Sequence, residues 1–224
     1  MPHDQTTVDV VTDRRVRRST RAIHGDGGEG GSEVWRIRVH GRGGQGVVTT
    51  AELLSVAAFH DGFQAQAFPS FGSERMGAPV TAYCRISRHP IRVREPVTAA
   101  DALLIADSTL IHQAGLFDGL QPDGYVLVNS SRSWAELGVD ERLPQQCAER
   151  RRTVPATAIA RRTVGRPLPN APMLGAFAAL TGAVSFVSVD TALRERFIGA
   201  VAEGNVLGAR VAYEMVGQET QAHA

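Results

Sequence analysis

The sequence predicts an α/β domain in three layers: a mixed, mostly parallel sheet, helices packed against it, and a helical C-terminal part. Three observations carry this. Residues 35–61 read strand, glycine turn, helix, the opening of a βαβ unit. Leu103–Ala106 and Tyr125–Val128 are short continuous apolar runs, the pattern of strands buried on both faces of a parallel sheet. After Asn170, apolar residues recur at helical spacing at Met173, Leu174, Phe177 and Leu180.

The first strand alternates at Trp35, Ile37 and Val39, and the glycine cluster Gly41-Arg42-Gly43-Gly44-Gln45-Gly46 follows. The helix after it carries Val47, Leu53, Leu54, Ala57 and Ala58. Glycines allow a tight turn and close approach to bare backbone N–H groups. A helix N-terminus beyond them has unpaired donors and a partial positive charge, a seat for a phosphate or another anion. Gly41, Gly43 and Gly46 fit the spacing of the dinucleotide fingerprint. The acid expected about 20 residues on is missing, because the second strand, Phe63–Phe68, ends in Gln66-Ala67-Phe68. Three readings stay open: a turn that only packs helix on sheet, an anion or phosphate site, and a nicotinamide-dinucleotide site.

The second strand runs into a loop from Pro69 to Pro79 at a carboxyl strand end, where open α/β sheets bind ligands. Ser70, Ser73 and Arg75 are its ligand-directed polar candidates; a plain surface loop is the alternative. Val80–Ile86 and Ile91–Arg94 alternate around the turn Ser87-Arg88-His89-Pro90, which predicts a hairpin. Asp107-Ser108-Thr109 and Asn129-Ser130-Ser131 end the two buried strands; the former either meets a ligand or caps the next helix. Arg150–Pro155 holds the last strand, with a short helix through Ala160. A helix with Leu193, Phe197, Ile198 and Val201 takes Asp190 as its N-cap, and a final helix spans Asn205 to about Gly217.

The organisation expected is a disordered tail over residues 1–33, one domain over 34–218 and a flexible C-terminus over 219–224. The tail is rich in arginine, acids and glycine and offers little to bury. Its Gly25-Asp26-Gly27 triplet matches the start of a metal–diphosphate motif, but it precedes the first strand and no Asn pair follows.

Composition excludes several functions. The 224 residues are 43% hydrophobic, enough for one core, and the formal net charge of +1 gives no pull toward nucleic acid. No apolar run is long enough for a bilayer and no hydrophobic leader is visible, so a cytoplasmic location without membrane contact is expected. Cys84 and Cys147 cannot supply a four-cysteine cluster, and both are expected to be buried and inert. There is no lysine at all, which removes the Walker phosphate loop and any catalytic lysine. Anion contacts must come from arginine or backbone amides. No residue stands out as proton donor or nucleophile, and no metal ligands are expected.

Three stretches together, GRGGQGVVTTAELLSVAAFHDG, AQAFPSFGSERMGAPVTAYCRIS and NAPMLGAFAALTG, resemble the gamma subunit of pyruvate:ferredoxin oxidoreductase and its 2-oxoacid relatives, over about residues 35–215. The resemblance implies a Rossmann-like domain in an enzyme that cleaves a 2-oxoacid oxidatively with coenzyme A, giving acyl-CoA, carbon dioxide and reduced ferredoxin. It implies alpha, beta and ferredoxin-like delta subunits as partners, with ferredoxin or another external electron acceptor. Thiamine diphosphate, Mg²⁺ and iron–sulfur clusters then belong to those partners, and none is bound by this chain alone. Coenzyme A, the co-substrate, is the ligand this chain is expected to handle. The matching positions are Gly41, Gly43, Gly44, Gln45 and Gly46 in the turn, and Ser70, Phe71, Gly72, Glu74, Arg75 and Gly77 in the loop. A purely structural subunit and a stand-alone NAD-dependent dehydrogenase are the competing readings. If Arg75 holds a phosphate, Arg75→Ala in the assembled enzyme raises the KM for coenzyme A; an unchanged KM removes that assignment.

Overall fold

The computed structural model describes residues 34–70, 77–143 and 149–222. The expected tail, the loop residues Phe71, Gly72, Ser73, Glu74 and Arg75, and Cys147 lie outside the described residues. The chain forms a six-stranded sheet of β1 (Val34–Arg42), β2 (Gln64–Pro69), β3 (Pro79–Ser87), β4 (Ala100–Ile105), β5 (Leu120–Asn129) and β6 (Arg151–Val154), in the order β2-β3-β1-β4-β5-β6. β1, β4, β5 and β6 pair in parallel, whereas β3 runs antiparallel between β1 and β2. This is the mixed, mostly parallel sheet read from the sequence.

One face carries α1 (Val47–His60), α3 (Ala156–Thr163), α4 (Asn170–Thr181), α5 (Phe186–Arg196) and α6 (Gly199–Ala222). The single-turn helix α2 (Trp134–Leu137) and two 3-10 turns, Ser108–His112 and Asp140–Arg142, cover the other face with loops. Alternation decides which side chain goes where. Trp35, Ile37 and Val39 of β1 enter the helical side of the core. Arg36 and Arg38 point the other way and are hydrogen-bonded there. Arg36 grips the buried Asp101 carboxylate through Nε at 2.9 Å and Nη2 at 3.1 Å. Arg38 donates to the carbonyls of Leu116 and Asp118 at 3.1 and 2.7 Å. β4 is buried along its whole length, as its uninterrupted apolar run requires.

Two sequence expectations are corrected. Residues 91–94 form no strand. Both edges of β3 are already used, by β1 and by β2, so no ladder is open to them. They run instead as a loop, held where Arg85 Nη2 donates to the Glu95 carbonyl at 2.6 Å. Asp190 is not an N-cap but sits inside α5, bonded to Arg194 one turn on. The cap is Ser185, whose hydroxyl accepts from the Ser188 N–H at 3.1 Å. Asp61, at the end of α1, binds that cap by accepting from the Ser185 N–H and hydroxyl and the Ser188 hydroxyl. The expected run through Val201 is therefore two helices, broken at Phe197 and Ile198, with α6 starting at Gly199. Among the described residues no helix is long and apolar enough to cross a membrane.

The C-terminal part is held by close contact of α4 and α6. A Cβ on Gly175 of α4 would lie 1.9 Å from the Ala209 carbonyl oxygen of α6, a backbone atom that cannot swing away. Gly175→Ala is expected to cost about 3 kcal/mol. A fall in melting temperature of roughly 6 °C or more checks this, and an unchanged melt contradicts the packing.

Candidate functional site

The glycine turn lies at the carboxyl end of β1. Gly46 is the N-cap of α1 at φ 74° and Gly44 has φ 92°, left-handed values that favour glycine. Gly41 is needed for a different reason: a Cβ there would meet Val47 Cγ2 at 2.5 Å and Ala106 Cβ at 3.2 Å. Helix, turn and β4 are thus in direct contact at this point.

A single carboxylate fastens the turn. Asp107 Oδ2 accepts from Arg42 Nε at 3.1 Å and Gln45 Nε2 at 2.9 Å, while Oδ1 accepts from the Thr109 N–H at 2.9 Å and its hydroxyl at 2.6 Å. Burial alone would raise the Asp107 carboxyl. The hydrogen bonds from Thr109 and Gln45 and the Arg42 charge outweigh it and hold the group below the usual carboxylate range. Gln45 also closes the turn on itself, its Oε1 accepting from the Arg42 N–H at 2.8 Å. Asp107 does cap the following 3-10 turn, but its larger service is to the glycine turn.

The described residues that close the second-strand loop, Gly77 and Ala78, lie against this turn. Gly43 N–H donates to the Ala78 carbonyl at 2.9 Å, and Gly77 N–H donates to the Gly43 carbonyl at 3.2 Å. Arg42 Nη1 reaches the Gly77 carbonyl at 3.1 Å. Ser70 is exposed, with its N–H on the Thr81 carbonyl at 2.8 Å. Gly43 and Gln45 therefore spend their amides inside the turn, Gln45 on the Arg42 carbonyl at 3.0 Å. The first backbone bond of α1 is from Thr50 N–H to the Gly46 carbonyl. Among the described residues the amides of Gly44, Gly46, Val47, Val48 and Thr49 remain without a partner.

These amides border a cleft of about 560 Å³ between the turn and the α5–α6 corner. Its walls are largely apolar, with Val47, Val48, Val164, Leu168, Phe197 and Val201. Arg42, Arg166 and Arg196 bring positive charge. Arg166 and Arg196 are exposed and make no hydrogen bond or ion pair among the described residues. Asn170, the first residue of α4, stands over Gly46; it is 5% exposed and its Oδ1 has no partner. Sequence reasoning missed Arg166, Arg196 and Asn170. Arg166 and Arg196 stand singly among unremarkable neighbours, and only the Asn-Ala-Pro start of α4 carries a signal.

Next to the end of β1, Pro79 and Val80 of β3 occupy the place where a dinucleotide fold puts its second parallel strand. The missing acid has its explanation there: β2, which would carry it, is pushed to the sheet edge. Among the described residues no group of three or more His, Cys, Asp or Glu is arranged to hold a metal ion. Cys84 is buried, and burial pushes its thiol far up, so it is inert.

Fold and turn together define an open α/β domain of the Rossmann-like class with its glycine turn at the carboxyl edge of the sheet. The family model of pyruvate ferredoxin/flavodoxin oxidoreductase matches residues 36–215. Pyruvate synthase subunit PorC of Methanothermobacter thermautotrophicus is 46% identical over 180 residues, 80% of this chain and 94% of that protein. The common gamma subunit of the pyruvate/ketoisovalerate oxidoreductases of Pyrococcus abyssi is 45% identical over 179 residues, 80% of this chain and 95% of that one. The crystal structure of pyruvate oxidoreductase subunit PORC from Thermotoga maritima superposes with a TM-score of 0.71 at 33% identity, covering 82% of this chain and 97% of that one. The chain belongs to the pyruvate ferredoxin/flavodoxin oxidoreductase family, as the gamma subunit of a 2-oxoacid:ferredoxin oxidoreductase.

Beneath the turn, β1 carries His40, whose Nδ1 lies 3.2 Å from the Thr81 hydroxyl and whose Nε2 is buried without a partner. Burial, and then the Arg38 charge, push its pKa down from 6.5 to about 4. The folded protein thus gives up this proton more readily than the unfolded chain does. Its contribution to stability is full above pH 6.5 and is lost as the pH falls toward 4, about 3 kcal/mol in all. Denaturation midpoints measured across that window should fall more steeply for the wild type than for His40→Gln; parallel curves contradict the assignment.

Proposed function

We propose that this chain, within the assembled oxidoreductase, holds coenzyme A at the cleft beside the glycine turn. The carbon chemistry on thiamine diphosphate and the passage of electrons through iron–sulfur clusters then fall to the alpha, beta and ferredoxin-like delta subunits. The observation that carries this reading is the combination at one cleft of Asn170 with an orphaned acceptor, five unpaired amides and two unpaired arginines. Coenzyme A needs those three things. Its phosphates call for arginine and backbone N–H groups. Its pantetheine arm is apolar along its length but bears amide N–H groups, which suit apolar walls interrupted by the Asn170 carbonyl. Arg75 is the further phosphate contact the family resemblance suggests. The chain's own residues bind and orient in this scheme; none is assigned a proton transfer.

Assembly is the second part of the role. Phe59, Val187 and Ile198 are 70%, 74% and 87% exposed, an unusual display of large apolar side chains that favours burial against neighbouring subunits. A purely structural subunit would use these and leave the cleft idle.

The double variant Arg166→Ala/Arg196→Ala, measured in the assembled complex, separates the two readings. Loss of charge-assisted hydrogen bonds to phosphate predicts a KM for coenzyme A raised at least about tenfold, with the KM for the 2-oxoacid unchanged. An unaltered KM for coenzyme A in a complex of normal composition contradicts coenzyme A handling at this cleft.

A further inference from the structure

A second cleft, of about 510 Å³, opens on the opposite side of the glycine turn. Its floor is made by residues that follow two neighbouring parallel strands, Ala106–Ser108 after β4 and Asn129–Ser131 at the end of β5. Pro155, Thr157, Ala158 and Arg161 form the wall on the α3 side. This is the crevice beyond the carboxyl ends of the strands, where open α/β sheets take ligands. The first cleft lies away from it, toward α5 and α6, and the Arg42–Asp107 pair closes the space between them.

The inventory of its polar groups points one way. Asp107 is its one carboxylate, and both oxygens are already filled by Arg42, Gln45 and Thr109. The Asn129 amide is also spent: Nδ2 donates to the Ala106 carbonyl at 2.8 Å and the Thr157 hydroxyl at 2.7 Å, and Oδ1 accepts from the Thr157 N–H at 3.1 Å. What is left over is donors. The guanidinium groups of Arg132 and Arg161 make no hydrogen bond or ion pair among the described residues. Among the described residues the hydroxyls of Ser108 and Ser131 are unengaged as well. Glu136, the acid whose charge acts on Arg132, is committed to the Ser133 N–H and hydroxyl in the capping box of α2.

A cleft with two spare guanidiniums, two spare hydroxyls able to donate, and no spare carboxylate or side-chain amide is matched to a compact anion with several acceptor oxygens. Phosphate fits best, since it takes bidentate arginine and hydroxyl donors at once. The cleft is several times larger than a phosphate group, and the remaining space is edged by Gln45, Pro155 and Ala158. We infer that this cleft is a binding site for the phosphate monoester of a small organic molecule, of sugar-phosphate size, held at its phosphate by Arg132 and Arg161. The assignment is independent of coenzyme A handling at the first cleft, which uses other arginines.

Calorimetric titration of the full-length chain tests it with three probes: ribose 5-phosphate, inorganic phosphate and ribose. The expected result is saturable binding of ribose 5-phosphate, at least about tenfold tighter than inorganic phosphate, and no binding of ribose. The Arg132→Ala/Arg161→Ala variant should lose at least about tenfold in affinity for the ester, while Arg166→Ala/Arg196→Ala keeps it. Both substituted arginines are exposed, and an unchanged circular dichroism melt confirms the fold. Equal affinity for phosphate and its ester overturns the monoester assignment. Undiminished binding by the Arg132/Arg161 variant, or no binding at all by the wild type, overturns the site.

Discussion

The Asp107 carboxylate is the joint on which the site is built. It stands just past β4, yet two of its four hydrogen bonds, from Arg42 and Gln45, decide the shape of a turn that follows β1, more than sixty residues earlier in the chain. A glycine-rich turn has large conformational freedom to lose, and left-handed glycines alone do not fix it. Arg42 and Gln45, pulled onto one anion, do. The same pair leaves Gly44, Gly46 and the first turn of α1 with amides facing outward. The carboxylate thus spends its own charge internally and leaves the unpaired arginines of the two clefts for ligands.

The sheet shows how a βαβ beginning becomes something other than a dinucleotide fold. β1, α1 and β2 follow the expected path, with β1 and β2 pointing the same way. β3 then folds back into the gap between them. Its first residues, Pro79 and Val80, pair with Arg42 and Gly41, and this brings Gly77 and Ala78, just before β3, against the glycine turn. Motif spacing alone cannot see this. The fingerprint glycines are present, but the strand that would deliver an acid to a ribose has been moved one place outward.

Much of the fold was legible because it rests on local patterns. The alternation of β1, the unbroken apolar runs of β4 and β5 and the 3.6-residue spacing of α4 each state their surroundings directly. The failures came where the decision is made at a distance. Ile91–Arg94 alternates like a strand, but the only edge it could have joined belongs to β2. Asp190 resembles a helix cap, yet Ser185 wins because Asp61, 124 residues away, is there to hold it. The site followed the same division. Its glycines announced themselves, as did the family resemblance, whereas Arg166, Arg196 and Asn170 reach the turn only through the packing of α4, α5 and α6. Apart from the Asn-Ala-Pro start of α4, their sequence neighbourhood carries no mark of it.

The central claim, that the locked turn offers its free amides to coenzyme A, is tested most directly by amide hydrogen exchange on the assembled enzyme with and without saturating coenzyme A. Exchange should slow at Gly44, Gly46, Val47, Val48 and Thr49. It should stay unchanged at Gly43 and Gln45, whose N–H groups already serve the turn. Unaltered exchange across Gly44–Thr49 in an enzyme that is turning over coenzyme A would contradict the account.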